Sequence, residues 1–223
     1  MHALVAVALL LAQTSVGAGK VSGKVTLTGL APKLANLPVT RDMKTCGTSK
    51  PDEALEVGQG GGVKSAVLWI VDGPKPGKGE KSKATLDQKQ CDFVPHVVAI
   101  PAGATLDIVN GDKLFHNVHA REGDKTVFNY AMPVPNHVIP KQLKASGLLR
   151  ITCDVHPWMR AWVYVLPTTA FAVTDESGGF TISGVPAGKH TLKLWHERLG
   201  EKEQDVNVRA DGTATVDIQL TPR

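Results

Sequence analysis

The apolar residues of this chain come in short runs of about four to six, each bounded by turn formers, and a chain so punctuated has room for strands but not for helices. "SAVLWIV" (65–71), "HVVAI" (96–100), "TLDIVN" (105–110), "LLRIT" (148–152) and "AWVYV" (161–165) are such runs, set off by "PAGA" and "NGD". "KVSGKVTLTGL" (20–30) alternates like a strand. In the last run Ala214, Val216, Ile218 and Leu220 alternate with Thr215, Asp217 and Gln219, one face dry and the other wet. That is the pattern of a two-layer antiparallel sandwich. Residues 31–62 read as irregular, with Pro32, Pro38, Pro51 and three consecutive glycines at 60–62. No strong helix, internal repeat or heptad is visible. A break at "PTT" (167–169) precedes a segment of different rhythm. The expected organisation is therefore an N-terminal strand and irregular segment over 19–62, a first β-sandwich over 63–167 and a small second one over 168–223.

The first eighteen residues carry no Lys or Arg, an apolar stretch from Ala3 to Ala12, and Val16 and Ala18 placed for cleavage after Ala18. This reads as a secretory leader, too short for a comfortable membrane span. No cysteine follows for a lipid anchor. The expected location is periplasmic or extracellular, with no membrane span once the leader is removed. Lys and Arg number 25 against 21 for Asp and Glu, too small an excess to imply nucleic acid. The Lys-rich stretch from Lys75 to Lys83 reads as a solvated hairpin tip, with a docking patch for an acidic partner as the alternative.

An oxidising compartment gives cysteine parity a meaning. Of Cys46, Cys91 and Cys153, parity and compartment pair the first two, a link worth at most roughly 4 kcal/mol in the chain-entropy picture. Cys153 is then left over, on the loop "CDVHPWM" (153–159) between two strands. A thiolate and an imidazole three residues apart on a tight loop can face one point, and the Met159 thioether can approach it from another side. His116 in "LFHNVHA" offers a second imidazole. Two imidazoles and a thiolate with a weak axial thioether suit a mononuclear blue-copper site. Binding would also deprotonate and shield Cys153.

"FHNVH" followed by "CDVHPWMRAWVYV" resembles the cupredoxins, most closely the amicyanin and plastocyanin branch, over about 65–166. The resemblance implies an all-β, Greek-key sandwich holding one copper ion through His116, Cys153, His156 and Met159. It implies that Asn117 hydrogen-bonds across to the ligand loop and ties the two motifs together. It also implies one-electron carriage to a redox protein such as a c-type cytochrome or a dehydrogenase, without catalysis. "VTDESGGFTISGVPAGKHTLKLWHE" (173–197) resembles the small carboxypeptidase-regulatory or transthyretin-like sandwich, with His190 where that pattern usually has an aromatic residue. This module is short for a full sandwich. Whether it borrows the strand near Val21–Leu27, making the copper module an insertion, is open at this level.

His156, followed by Pro157 and Trp158, is expected to bring its ring edge to the surface in an apolar docking patch shared with Trp158, Met132 and Pro133. His116 is expected to be more enclosed. His119, three residues past His116, should point to the other face and be structural. His96 and His196 read as structural, with a metal or domain contact as the sharper alternative, and His137 gives no signal. A dinuclear copper site needs two loop cysteines and a trinuclear site needs His-x-His pairs; neither is present. Three function classes follow: electron carriage, copper delivery or storage, and a metal-free interaction module. A visible spectrum of the copper-loaded protein separates them.

Overall fold

The computed structural model describes residues 17–77 and 82–222. The leader expected over residues 1–18 falls mostly outside the described residues, as does the tip of the Lys-rich loop. Among the described residues no helix is long and apolar enough to cross a membrane. The architecture is all-β, as the short apolar runs require, and the single α-helical segment among the described residues is one turn, Met43–Cys46.

Four principal sheets form two sandwiches. In the first, a five-stranded sheet runs in the order Lys125–Met132, His116–Glu122, Gly147–Thr152, Arg160–Leu166, Val97–Pro101. It faces a four-stranded sheet in the order Val138–Gln142, Thr105–Asn110, Lys83–Lys89, Asp92–Val94. Leu86, Phe93, Leu106, Ile108, Val118, Ile151 and Val163 fill the space between them. The disulfide Cys46–Cys91 joins this core to the N-terminal segment.

The second sandwich draws on both ends of the chain. One sheet orders Phe171–Val173, Val67–Ile70, Gly188–His196 and Gly200–Val208. The other sets Gly19–Leu27 beside Gly179–Val185 and against Thr213–Thr215 and Ile218–Leu220. The question about Val21–Leu27 is thus answered: that strand sits inside the second sandwich, with Val21 and Val25 fully buried there. The first sandwich is an insertion between Val67–Ile70 and Phe171–Val173, two strands that pair with each other. This corrects the assignment of "SAVLWIV" to the copper-loop module. Its continuous apolar run is what a strand covered on both faces looks like. Leu68 and Ile70 point into the second core, while Val67 and Trp69 point at the first sandwich.

The contact between the sandwiches is aromatic. Trp69 lies 5.0 Å from Tyr164, and Trp195 lies 5.5 Å from Trp162 and 5.7 Å from Tyr164, ring to ring. Tilted and edge-on rings at such spacings add to the area they bury. Glu197, from the hairpin turn of the second sandwich, reaches into the first: one carboxylate oxygen pairs with Nε2 of His96, and the other accepts a 2.8 Å bond from Nε1 of Trp162. Burial opposes charge on His96, but the carboxylates of Glu197 and, further off, Glu53 outweigh it and raise its pKa above the ordinary histidine value. His96 thus takes the domain-contact role.

His196 behaves oppositely. It is 2% exposed, and burial lowers its pKa to about 4. In the unfolded chain it titrates near ~6.5, so between those values the unfolded state binds the extra proton. Stability supplied by neutral His196 is complete above about pH 6.5 and is lost as pH falls toward about 4. The whole term is roughly 3 kcal/mol. His196→Gln should therefore lose less stability than the parent between about pH 7 and about pH 4. Parallel denaturation curves for the two proteins would rule this out.

Candidate metal centre

His116 opens a strand of the five-stranded sheet, where it pairs in register with Met132. The turn before it is fixed by the fully buried Asn110, whose Nδ2 donates to the carbonyls of Leu114 (2.9 Å) and Met132 (2.7 Å). Cys153 and His156 lie on the loop joining Gly147–Thr152 to Arg160–Leu166. That loop closes on itself: the Met159 amide donates to the His156 carbonyl at 2.9 Å, and the Cys153 amide to the Met159 carbonyl at 3.3 Å. Met159 is fully buried and Cys153 is 2% exposed.

One ligand atom each from His116, Cys153 and His156 lie within 4.8 Å of one another, all buried. The two Nδ1 atoms face each other at 2.9 Å, and the Cys153 Sγ is 3.8 Å from Nδ1 of His156. Outward, each ring meets a carboxylate: Nε2 of His116 is 3.1 Å from Oδ2 of Asp112, and Nε2 of His156 is 2.8 Å from Oδ2 of Asp42. A carboxylate beside Nε2 keeps the single proton of a neutral imidazole there and leaves Nδ1 as a bare acceptor. With that tautomer in both rings, the site presents two inward lone pairs beside a thiol. Two such lone pairs at 2.9 Å repel unless a cation or a proton lies between them. Burial works against the proton, pushing the His116 pKa below its ordinary value despite Asp112. The donor set, two imidazoles and a soft sulfur closed off from water, fits a copper ion.

Asn117 joins the His116 strand to the loop 153–159 through its side chain. Its Oδ1 accepts from the Asp154 amide at 2.6 Å and from the Cys153 thiol at 3.4 Å, while its Nδ2 donates to Asp154 at 2.9 Å and to Asn129 at 2.8 Å. His119 shares that strand face with Asn117. Its Nδ1 donates to the Asp154 carboxylate at 3.1 Å, and its Nε2 meets Oγ1 of Thr126 at 2.8 Å. His119 is thus a support for the ligand loop on the face away from His116. Partial burial works against charge on Asp154, but hydrogen bonds from His119, Asn129 and Asn117 hold its pKa below the usual carboxylate range.

Of the residues named for the docking patch expected at the ligand loop, Pro133 alone is exposed, so the patch is not formed. His156 and Met132 are fully buried and Trp158 is 5% exposed. The Trp158 indole turns inward, donating to the Cys91 carbonyl at 3.0 Å with its ring 5.0 Å from that of His156. What covers His156 is the N-terminal segment, through Asp42. Asp42, Asp112 and Asp154 are the contributors that sequence reasoning missed. Asp154, inside the loop, and Asp112, four residues before His116, could have been found by proximity; Asp42 carries no such signal.

Residues 155–221 match the family model described as the carboxypeptidase regulatory-like domain. The match omits Gly19–Leu27 and Val67–Ile70, which complete that sandwich here. Among solved structures, the chain is similar to a purple cupredoxin from Nitrosopumilus maritimus, at 20% identity over 37% of this chain and 99% of that one, with a TM-score of 0.33. It is similar also to amicyanin from Paracoccus versutus, at 20% identity over 44% of this chain and 97% of that one, with a TM-score of 0.35. No curated protein matches the chain.

Proposed function

We propose that this chain is an exported one-electron carrier whose centre would be a single copper ion held by His116, Cys153 and His156, with Met159, buried on the same loop, as a further, weaker ligand. The observation that supports it most is that the two Nδ1 atoms face each other 2.9 Å apart beside the free Cys153, each ring with a carboxylate, of Asp112 or Asp42, at its Nε2. Copper, when bound, supplies a one-electron couple. The chain's own residues hold the geometry still while charge changes. Asn117 locks the ligand loop to the His116 strand, and the two carboxylates fix ring orientation. His116, His156 and Met159 are fully buried. A catalytic metal site keeps an open position; enclosure of this kind suits electron passage through the protein rather than binding of a substrate. The partner is a redox protein such as a c-type cytochrome or a dehydrogenase.

Adding Cu(II) to the metal-free protein should produce an intense sulfur-to-copper visible band at one ion per chain, with reversible one-electron cycling. Colourless binding, or none at stoichiometric copper, would refute the proposal. Met159→Gln should keep the band and lower the reduction potential, because a harder axial oxygen favours Cu(II). A potential equal to the parent's would remove Met159 from the ligand set.

A further inference from the structure

We propose that Asp42 is a positioning residue of the metal centre, held over His156 by the Cys46–Cys91 disulfide. The inference rests on the reading of His116, Cys153 and His156 as ligands. Asp42 is separated from His156 by 114 residues, yet its Oδ2 lies 2.8 Å from the His156 Nε2. It precedes the one-turn helix Met43–Cys46, where an Asp side chain commonly caps the exposed amides. Here it makes no such bond. Its backbone is left-handed, φ 48° and ψ 33°, a conformation that Asp tolerates better than most residues. Its carbonyl accepts from the amides of Thr45 and Cys46, each at 2.9 Å. The carboxylate is thereby released from the helix and presented to the imidazole.

Little else holds this segment down. From Arg41 to Thr45 every residue is exposed, and the nearby buried anchors are Val39 and Cys46. A two-residue ladder, Leu37–Pro38 against Ser49–Lys50, steadies its base. The disulfide partner is the better connected end. The Cys91 amide donates at 2.7 Å to Oδ2 of Asp112, the same oxygen that faces His116, and the Cys91 carbonyl accepts from Trp158, whose ring is tilted against that of His156. One covalent link therefore ties both outward carboxylates to a common point. Asp42 keeps the His156 proton on Nε2, fixes the ring, and closes its edge to water. Its negative charge beside the centre favours the more highly charged metal, Cu(II).

The metal-free protein gives the first test. Long-range proton–nitrogen NMR should show His156 protonated at Nε2 in the parent and in Asp42→Asn, whose amide oxygen still accepts, but a tautomer mixture in Asp42→Ala. With Cu(II) added, Asp42→Ala should bind roughly 10- to 100-fold more weakly, the usual cost of losing a ligand's hydrogen-bond partner, and show a higher reduction potential, with the visible band retained. Parental tautomer, affinity and potential in Asp42→Ala would overturn the proposal. A parent that gives no visible band would refute the copper reading alone, and the tautomer result would still decide on Asp42. The double variant Cys46→Ala, Cys91→Ala, confirmed as folded by circular dichroism, should reproduce the Asp42→Ala tautomer mixture. A parental tautomer there would overturn the tether.

Discussion

Cys153→Ser should leave a folded, copper-exposed protein with no intense visible band at all. The thiol is 2% exposed and is the chain's free cysteine, so no second thiolate can take its place in oxidised, disulfide-intact protein. Serine is close in size, and its hydroxyl can make the bond to Asn117 Oδ1 that the thiol makes at 3.4 Å. The loop should therefore keep its shape while the soft, ionisable ligand disappears. Absorption spectra of parent and variant at equal copper, with circular dichroism to confirm the fold, measure this directly. A band that persists in the variant would mean that the colour, and the metal, lie elsewhere.

Glu197→Ala should destabilise the protein by roughly 3–5 kcal/mol, the range for removing one member of a buried ion pair. The side chain is 11% exposed and serves two partners from the other sandwich, His96 and the Trp162 indole. Truncation strands the buried His96 ring and the Trp162 N–H at the joint between the modules. Burial alone would raise the Glu197 pKa, but the His96 contact outweighs it and holds the carboxyl below its usual range. The negative charge is therefore present at neutral pH. Glu197→Gln, which can still accept from Trp162, should lose less. Denaturant titration at neutral pH reads both. A loss below about 0.5 kcal/mol for the alanine variant, the scale of ordinary surface changes, would show that the joint is carried by the aromatic rings alone.

The sequence by itself determined the local conformations and brought forward His116, Cys153 and His156 as candidate donors, which the structure clusters within 4.8 Å. Period-two alternation and turn chemistry fix strands because side-chain direction along a strand is a purely local property. The spacing of Cys153, His156 and Met159 places them on one tight loop for the same reason. Compartment and parity made Cys46 and Cys91 the expected pair, with Cys153 left on its loop, and the structure joins them. Tertiary structure decided which surfaces meet. Val67–Ile70 reads as a buried strand in any sandwich, and only sheet pairing assigns it to the second one. Trp158 beside a ligand histidine is equally compatible with a surface patch or with a core; the Cys91 carbonyl that receives its N–H draws it inward. Asp42 is the extreme case, since an acidic residue in a Pro-rich, exposed segment has no periodicity to betray a partner 114 residues away. Contacts of that kind arise from how covering segments are tethered across the fold, and a linear pattern of residues carries no record of that tethering.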